Sequence, residues 1–240
     1  MVIQVDRVLD RLGGWLLPPR CILCQGRGQR PALDLCAACE GDLPVQTGCC
    51  PRCALPMDPD EAFSECPRCR ADPPPFDRCH VPFRYDFPLG GLVRALKYDG
   101  HLAHARVLGT LLGRSLLAAG LHREIDVLLP VPLHPDKLVE RGFNQSIEIA
   151  RWVARETLRP FETRTLVRCR PTRPQVGLPL VERVANLQGA FEVPGLVRDR
   201  RVAVIDDVMT TGSTVREIAW ALRRAGAGTI DVWCLARTPG

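Results

Sequence analysis

Four Cys-x-x-Cys pairs, Cys21/Cys24, Cys36/Cys39, Cys50/Cys53 and Cys66/Cys69, fall within 49 residues of this 240-residue chain and dictate how its first third can fold. A two-residue gap lets both thiolates of a knuckle turn toward one ion, and two knuckles supply the four soft ligands of a tetrahedral structural zinc site. The second pair follows the first after 11 residues and the fourth follows the third after 12, so the unit is an internal repeat. Consecutive and interleaved pairing both fit the spacing, and Cys49 competes with Cys50 as a ligand. Four thiolates around one ion leave no open coordination position, so two zinc ions are expected to fold the segment rather than to catalyse. The isolated Cys79, Cys169 and Cys234 read as buried thiols.

Disulfides are the competing use of so many cysteines, and they need an oxidising compartment. Residues 1–17 lack the uninterrupted apolar core of a secretory signal. They read instead as a short amphipathic helix through Val5, Val8, Leu9 and Leu12, ended by Gly13-Gly14. No apolar run approaches the roughly 20 residues that cross a bilayer. The expectation is therefore a cytoplasmic chain without a membrane span.

A composition shift divides the chain into a Cys-, Pro- and Arg-rich part, 18–72, and a larger domain, 80–240. The stiff run Asp72-Pro73-Pro74-Pro75-Phe76 lies between them. Residues 1–80 carry 9 Lys and Arg against 11 Asp and Glu, while residues 81–240 carry 23 against 16, so the larger domain is the basic one. That balance suits a handler of phosphates or nucleic acid. In the larger domain, helices are expected over 88–98 (core face Leu89, Leu92, Val93 and Leu96), 101–119 and 144–158 (capped by Asn144, with core face Ile147, Ala150, Val153, Ala154 and Leu158). A last helix is expected over 215–225. Apolar runs at 125–131, 201–205 and 229–235 read as buried strands. Helices alternating with buried strands imply an α/β fold, a mostly parallel sheet covered on both faces.

The run Val204-Ile-Asp-Asp-Val-Met-Thr-Thr-Gly-Ser-Thr214 ends one of those strands and opens a helix. Ligands of open α/β sheets bind at the carboxyl ends of strands. A loop of small hydroxyl residues and Gly at a helix N-terminus presents N–H groups to a phosphate. Thr210, Thr211, Gly212, Ser213 and Thr214 fit that role. Asp206 and Asp207 would repel a phosphate, so they should face acceptor-seeking groups: two adjacent sugar hydroxyls, or a magnesium ion.

The run resembles, at every defined position, the phosphoribosyl pyrophosphate signature of type I phosphoribosyltransferases. That resemblance implies that Asp206 and Asp207 hold the ribose hydroxyls and that 210–214 hold the 5′-phosphate, with magnesium accompanying the ligand. Leu129 to His134, including Val131 and Pro132, stands where that family has its pyrophosphate loop, and Thr172 to Phe191 where it has its catalytic loop. Together with Leu96-Lys97-Tyr98, Arg141-Gly142-Phe143-Asn144-Gln145 and the cysteine repeat, these segments resemble the ComF family of competence-associated and GntX-like proteins. The resemblance implies a double zinc ribbon ahead of a type I phosphoribosyltransferase domain.

Transfer of a phosphoribosyl group builds positive charge on the sugar and negative charge on the departing pyrophosphate, so cations are expected at the leaving group. Lys97 and Lys137 are the chain's two lysines, and both fall in segments expected at the site, as does Arg141. No residue spells out an acceptor. One expectation is a transferase with an unidentified acceptor. The other is a non-catalytic DNA-uptake protein that binds single-stranded DNA or a 5′-phosphate end, with competence-machinery proteins as partners. Single-strand binders interleave aromatics with basic residues, and Phe63 is the lone aromatic between Cys21 and Cys69, which speaks against the ribbons as a stacking platform.

Overall fold

The apolar runs of the larger domain become the inner strands of a parallel sheet. The computed structural model describes residues 18–30, 33–58, 64–170 and 189–239. The amphipathic helix expected in 1–17 and residues 171–188 of the expected catalytic loop lie outside the described residues. The cysteine-rich part carries two one-turn helices, α1 (Ala37–Gly41) and α2 (Pro67–Ala71), each opening directly after a cysteine. Short strands β1 (Arg78–His80) and β2 (Phe83–Arg84) follow, then α3 (Leu89–Asp99), α4 (Leu102–Ala118) and β3 (Val127–Pro130). Next come α5 (Pro135–Arg141), α6 (Gln145–Thr157) and the two-stranded ladder β4 (Val167–Arg168) with β5 (Phe191–Glu192). The chain ends with β6 (Arg201–Met209), α7 (Ser213–Arg224) and β7 (Thr229–Arg237).

The sheet order is β1-β7-β6-β3, with β2 also on β7, and every pairing is parallel. Parallel strands need crossovers that cover the faces, which is why the middle of each inner strand, Val202–Ile205 in β6 and Val232–Ala236 in β7, is apolar and buried. On one face, Ala203, Ile205, Trp233 and Leu235 pack with α3, α4 and α6. On the other, Val202, Val204, Val232 and Cys234 pack with α7. Each fully buried Leu or Ile there contributes about 1.5–3 kcal/mol. Helices α4 and α6 approach so closely that a Cβ on Gly109 would stand 2.6 Å from both the Ile149 carbonyl oxygen and the Trp152 Cβ.

Several expected boundaries move for physical reasons. The strand expected at 201–205 runs on to Met209, because β7 itself continues to Arg237 and supplies a partner for Val208 and Met209. Both acids therefore belong to the strand. In α6 the fully buried isoleucine is Ile149, not the expected Ile147, and Leu158 is 60% exposed rather than on the core face. The helix stops there because Arg159 precedes Pro160 and is disfavoured in α geometry. Leu158 turns left-handed at φ 56° to leave the helix. Helix α5 and the edge strands β1 and β2 were not legible as elements.

The two cysteine units sit on opposite faces of the sheet. Cys21, Leu33, Leu35 and Leu43 belong to the cluster with α3, α4 and α6, assisted by ion pairs Arg106–Asp34 (3.9 Å) and Arg114–Glu40 (3.7 Å). Ala54 and Phe76 join the opposite cluster with α7. Between them Pro44 and Gln46 run antiparallel to the free edge of the sheet: Arg84 N donates to Pro44 O (2.8 Å) and Gln46 N to Pro82 O (2.9 Å). An open strand edge is thereby covered.

Candidate functional site

Strand β6 carries the centre of the site. Asp207 is 2% exposed, and its Oδ2 lies 2.7 Å from Nζ of Lys97, in the last turn of α3. Burial drives the Lys97 ammonium down, but the charge of Asp207, helped by Asp206, outweighs it and holds the lysine above its ordinary value. Asp206 Oδ1 accepts from Ser146 Oγ (3.0 Å) and from the Asp207 N–H (2.9 Å). Burial, then the charge of Asp207, pushes the Asp206 carboxyl up to about 7 against the pull of Lys97. Arg168 of β4 is the further cation here: burial lowers it and Asp206 acts the other way.

Asn144, expected only as a helix cap, has two roles. Its Oδ1 accepts from Ser146 N (2.9 Å), which caps α6, and its Nδ2 donates to Val131 O (2.9 Å). Val131 N in turn donates to Ile205 O (2.9 Å). The Val131-Pro132 loop, the start of α6 and the acid pair are thus locked together at one end of the sheet. The positive end of α6 faces Asp206.

The loop after β6 turns at Gly212, whose φ of 76° is left-handed and favours glycine. Thr211 Oγ1 lies 2.8 Å from Ser213 Oγ and accepts from Ser213 N (3.3 Å), which fixes the entry into α7. The loop and the acid pair stand at the same strand end. Beside them is a cavity of about 350 Å³ lined by Lys97, Tyr98, Asp99, Gly100, Lys137, Glu140, Arg141 and Phe143. The three basic residues singled out in the sequence therefore share one cavity. Arg141 lies over the Tyr98 ring (5.8 Å to the centroid) and donates to Gln145 Oε1 (2.5 Å). Lys137 is half exposed and pairs with Glu140 at 2.5 Å.

The cysteines resolve into two groups, Cys21, Cys24, Cys36 and Cys39, and Cys50, Cys53, Cys66 and Cys69, with the sulfurs of each group within 4.8 Å of one another. Pairing is consecutive, and Cys50 rather than Cys49 joins the second group. Sulfurs held at about 2.3 Å by a tetrahedral zinc stand about 3.8 Å apart. The Cys24–Cys36 and Cys53–Cys66 sulfurs are 3.7 and 3.8 Å apart, so the residues fit the ion. Burial raises the Cys21 thiol, but the backbone N–H groups of Cys24, Cys36 and Leu23 outweigh it and bring it down to about 6. Such N–H groups favour the thiolate that zinc requires.

Residues 12–71 match the double zinc ribbon domain family. A protein of Shigella flexneri named DNA utilization protein YhgH is 34% identical over 226 residues, 92% of this chain and 98% of that one. Competence protein F of Haemophilus influenzae is 30% identical over 91% of this chain and 96% of its own. The chain belongs to the ComF family. Among solved structures, glutamine phosphoribosylpyrophosphate amidotransferase from B. subtilis aligns with a TM-score of 0.37 and 27% identity over 53% of this chain. The chain spans a quarter of that protein's length. As a ComF-family protein it joins a double zinc ribbon to a phosphoribosyltransferase-type α/β fold. No helix among the described residues is long and apolar enough to cross a membrane.

Proposed function

We propose that this ComF-family chain binds phosphoribosyl pyrophosphate with magnesium and transfers its phosphoribosyl group to an acceptor. The observation that carries the reading is the succession, on one strand end, of an acid pair (Asp207 buried, Asp206 half-buried) with its own lysine and a phosphate-type loop. Asp206 and Asp207 accept from the ribose 2′ and 3′ hydroxyls, and 210–214 hold the 5′-phosphate. Val131, Pro132, Lys97, Lys137 and Arg141 attend the pyrophosphate. Magnesium fits beside a carboxylate pair in which burial, then the charge of Asp207, raises Asp206, and Asp206 and Asp207 are the residues to hold it. Bound there, the ion would neutralise charge on the leaving oxygens. In the transfer, the bond from C1′ to the pyrophosphate oxygen breaks, the acceptor's lone pair forms the new bond to C1′, and the acceptor's proton is released. The four-cysteine groups are those of two structural zinc ions, whose thiolate ligands must stay reduced, so the compartment proposed is the cytoplasm.

Calorimetric titration of phosphoribosyl pyrophosphate with and without magnesium tests the site, and an acceptor panel tests the transfer. Binding is expected in the wild type and is lost in Asp206→Ala/Asp207→Ala. No heat with magnesium present would sink the reading, while binding without turnover on any acceptor would reduce it to a binding module.

A second reading, single-stranded DNA as partner, has its own observation. A groove of about 400 Å³ is lined by Arg151, Trp152, Arg155, Arg159 and Phe161, together with Glu148, Ala154 and Pro160. Arg106 and Arg155 lie 5.5 and 5.1 Å from the Trp152 ring centroid. Aromatics interleaved with arginines are the composition of a strand-binding surface, here on the larger domain rather than the ribbons. Such a groove also suits the DNA context that the relatives' names carry. Gel shifts at two salt concentrations decide it: binding at low salt that weakens at high salt and in Trp152→Ala supports it, and none at low salt refutes it.

A further inference from the structure

Arg237, the last residue of β7, is 3% exposed, yet it carries a guanidinium. Its Nη1 donates to the carbonyl oxygens of Met209 (3.0 Å), Thr210 and Thr238 (3.3 Å), and its Nε to that of Cys53 (3.4 Å). A buried charge persists only when its donors are satisfied, and all of these acceptors are backbone. Two of them open the loop proposed to hold the 5′-phosphate. In a planar trans peptide, C=O and N–H point in opposite directions. With the Met209 and Thr210 carbonyls turned back onto Arg237, the N–H groups of Thr210 and Thr211 face away from it. The guanidinium therefore sets which way the loop presents its donors.

The fourth acceptor belongs to a ligand of the second cysteine group. Cys53 O lies in the knuckle turn, where Ala54 N donates to Cys50 O (2.9 Å). The same unit grips the other side of the loop as well. Asp72, just after α2, receives Arg216 Nη2 on its Oδ2 (2.6 Å) and Nη1 on its carbonyl oxygen (3.2 Å). Arg216 N itself donates to Gly212 O (3.0 Å). The loop is thus held from the strand side by Arg237 and from the helix side by Arg216, and both arginines are anchored on the second ribbon.

We propose that Arg237 is a positioning residue that orients the 210–214 loop for an anionic phosphate, and that through it the second zinc ribbon controls the loop's shape. This rests on the reading of 210–214 as the phosphate loop. The first ribbon, which packs on α4 at the opposite face, has no part in it.

The test is amide hydrogen exchange of the zinc-loaded full chain, alongside calorimetry with phosphoribosyl pyrophosphate and magnesium. In Arg237→Met and in Cys69→Ser, exchange at 210–214 is expected to rise at least about tenfold, with 202–205 and 230–233 as protected as in the wild type. Cys24→Ser, which loosens the first ribbon, is expected to leave the loop at its wild-type rate. Unchanged loop exchange in Arg237→Met overturns the positioning role, and unchanged exchange in Cys69→Ser overturns control by the ribbon. Should Arg237→Met lose protection at 202–205, Arg237→Lys decides. A lysine cannot fork across these carbonyls, so the loop must still loosen, and wild-type protection there refutes the proposal. Absence of calorimetric binding in the wild type would defeat the proposed function while leaving the exchange result to stand or fall alone.

Discussion

The Lys97–Asp207 pair gives the sharpest quantitative test of the site. Lys97→Met keeps most of the aliphatic stem and removes the charge, leaving the 2%-exposed Asp207 without its partner. At 2.7 Å, two unit charges in an effective dielectric of about 20 attract by roughly 6 kcal/mol before desolvation is subtracted. That is of the same order as the roughly 3–5 kcal/mol seen when one partner of a buried pair is removed. Asp207→Asn in the same chain should recover much of that loss, because no buried charge then remains. Urea unfolding of the zinc-loaded wild type, both single variants and the double variant yields the coupling energy. A loss under about 1 kcal/mol in Lys97→Met, with no recovery in the double variant, would show the pair to be an ordinary surface contact.

Other perturbations act on neighbouring links. Gly109→Ala drives a methyl into the Ile149 carbonyl and Trp152 Cβ, 2.6 Å away, and should destabilise by about 1–3 kcal/mol in denaturant unfolding. A neutral result would mean that α4 and α6 part freely. Asn144→Ala removes both the α6 cap and the bond to Val131 O. The expected loss is about 1–2 kcal/mol, accompanied by weaker phosphoribosyl pyrophosphate binding in calorimetry, and stability loss without the binding effect would contradict the link to the Val131-Pro132 loop. Because Asp206 is raised to about 7, its contribution to stability is greatest below about pH 4, the unfolded value, and disappears as pH rises through about 7. Ligand binding needs the ionised form, so affinity should fall toward about tenfold per unit below pH 7. Asp206→Asn should flatten that profile, and a profile that it leaves unchanged would assign the titration elsewhere.

Much of this architecture was legible because it repeats strong local rules. The spacing of the cysteines, the apolar runs at 125–131, 201–205 and 229–235, and the joined acid and hydroxyl segments each encode their structure within a dozen residues. What escaped is non-local. Whether the four knuckles pair consecutively depends on how the chain between them folds, and Cys49 and Cys50 are equivalent by spacing. Lys97 could have been a solvated charge, since only tertiary packing brings the end of α3 against β6, 110 positions later. Arg237 gave no signal at all: an arginine at the end of a strand reads as an exposed terminus until the carbonyls around it are seen. The cap at Asn144 was visible from its place before a helix, whereas its second bond to Val131 was not.

The distribution of charge at the site also weighs the two proposed readings against each other. The 210–214 loop and the start of α7 follow the acid pair directly along the chain, while Lys97, paired with Asp207, lines a cavity together with Lys137 and Arg141. Such an order matches a ligand with phosphate at each end and hydroxyls between. A 5′-phosphorylated DNA strand offers a phosphate to the loop, but its sugar has no 2′ hydroxyl and its 3′ oxygen is esterified. It would offer no hydroxyl to Asp206 and Asp207 and would bring a further phosphate toward their carboxylates, which costs both desolvation and repulsion. A DNA end is therefore disfavoured at the β6 loop, and any strand-binding role belongs to the Trp152 groove, where the one acid in the lining, Glu148, lies 3.9 Å from Arg151. The two readings are then separable by residue: Asp207→Asn should abolish phosphoribosyl pyrophosphate binding and leave DNA retention unchanged, and Trp152→Ala should do the reverse. Loss of both in either variant would mean one shared surface and would refute this division.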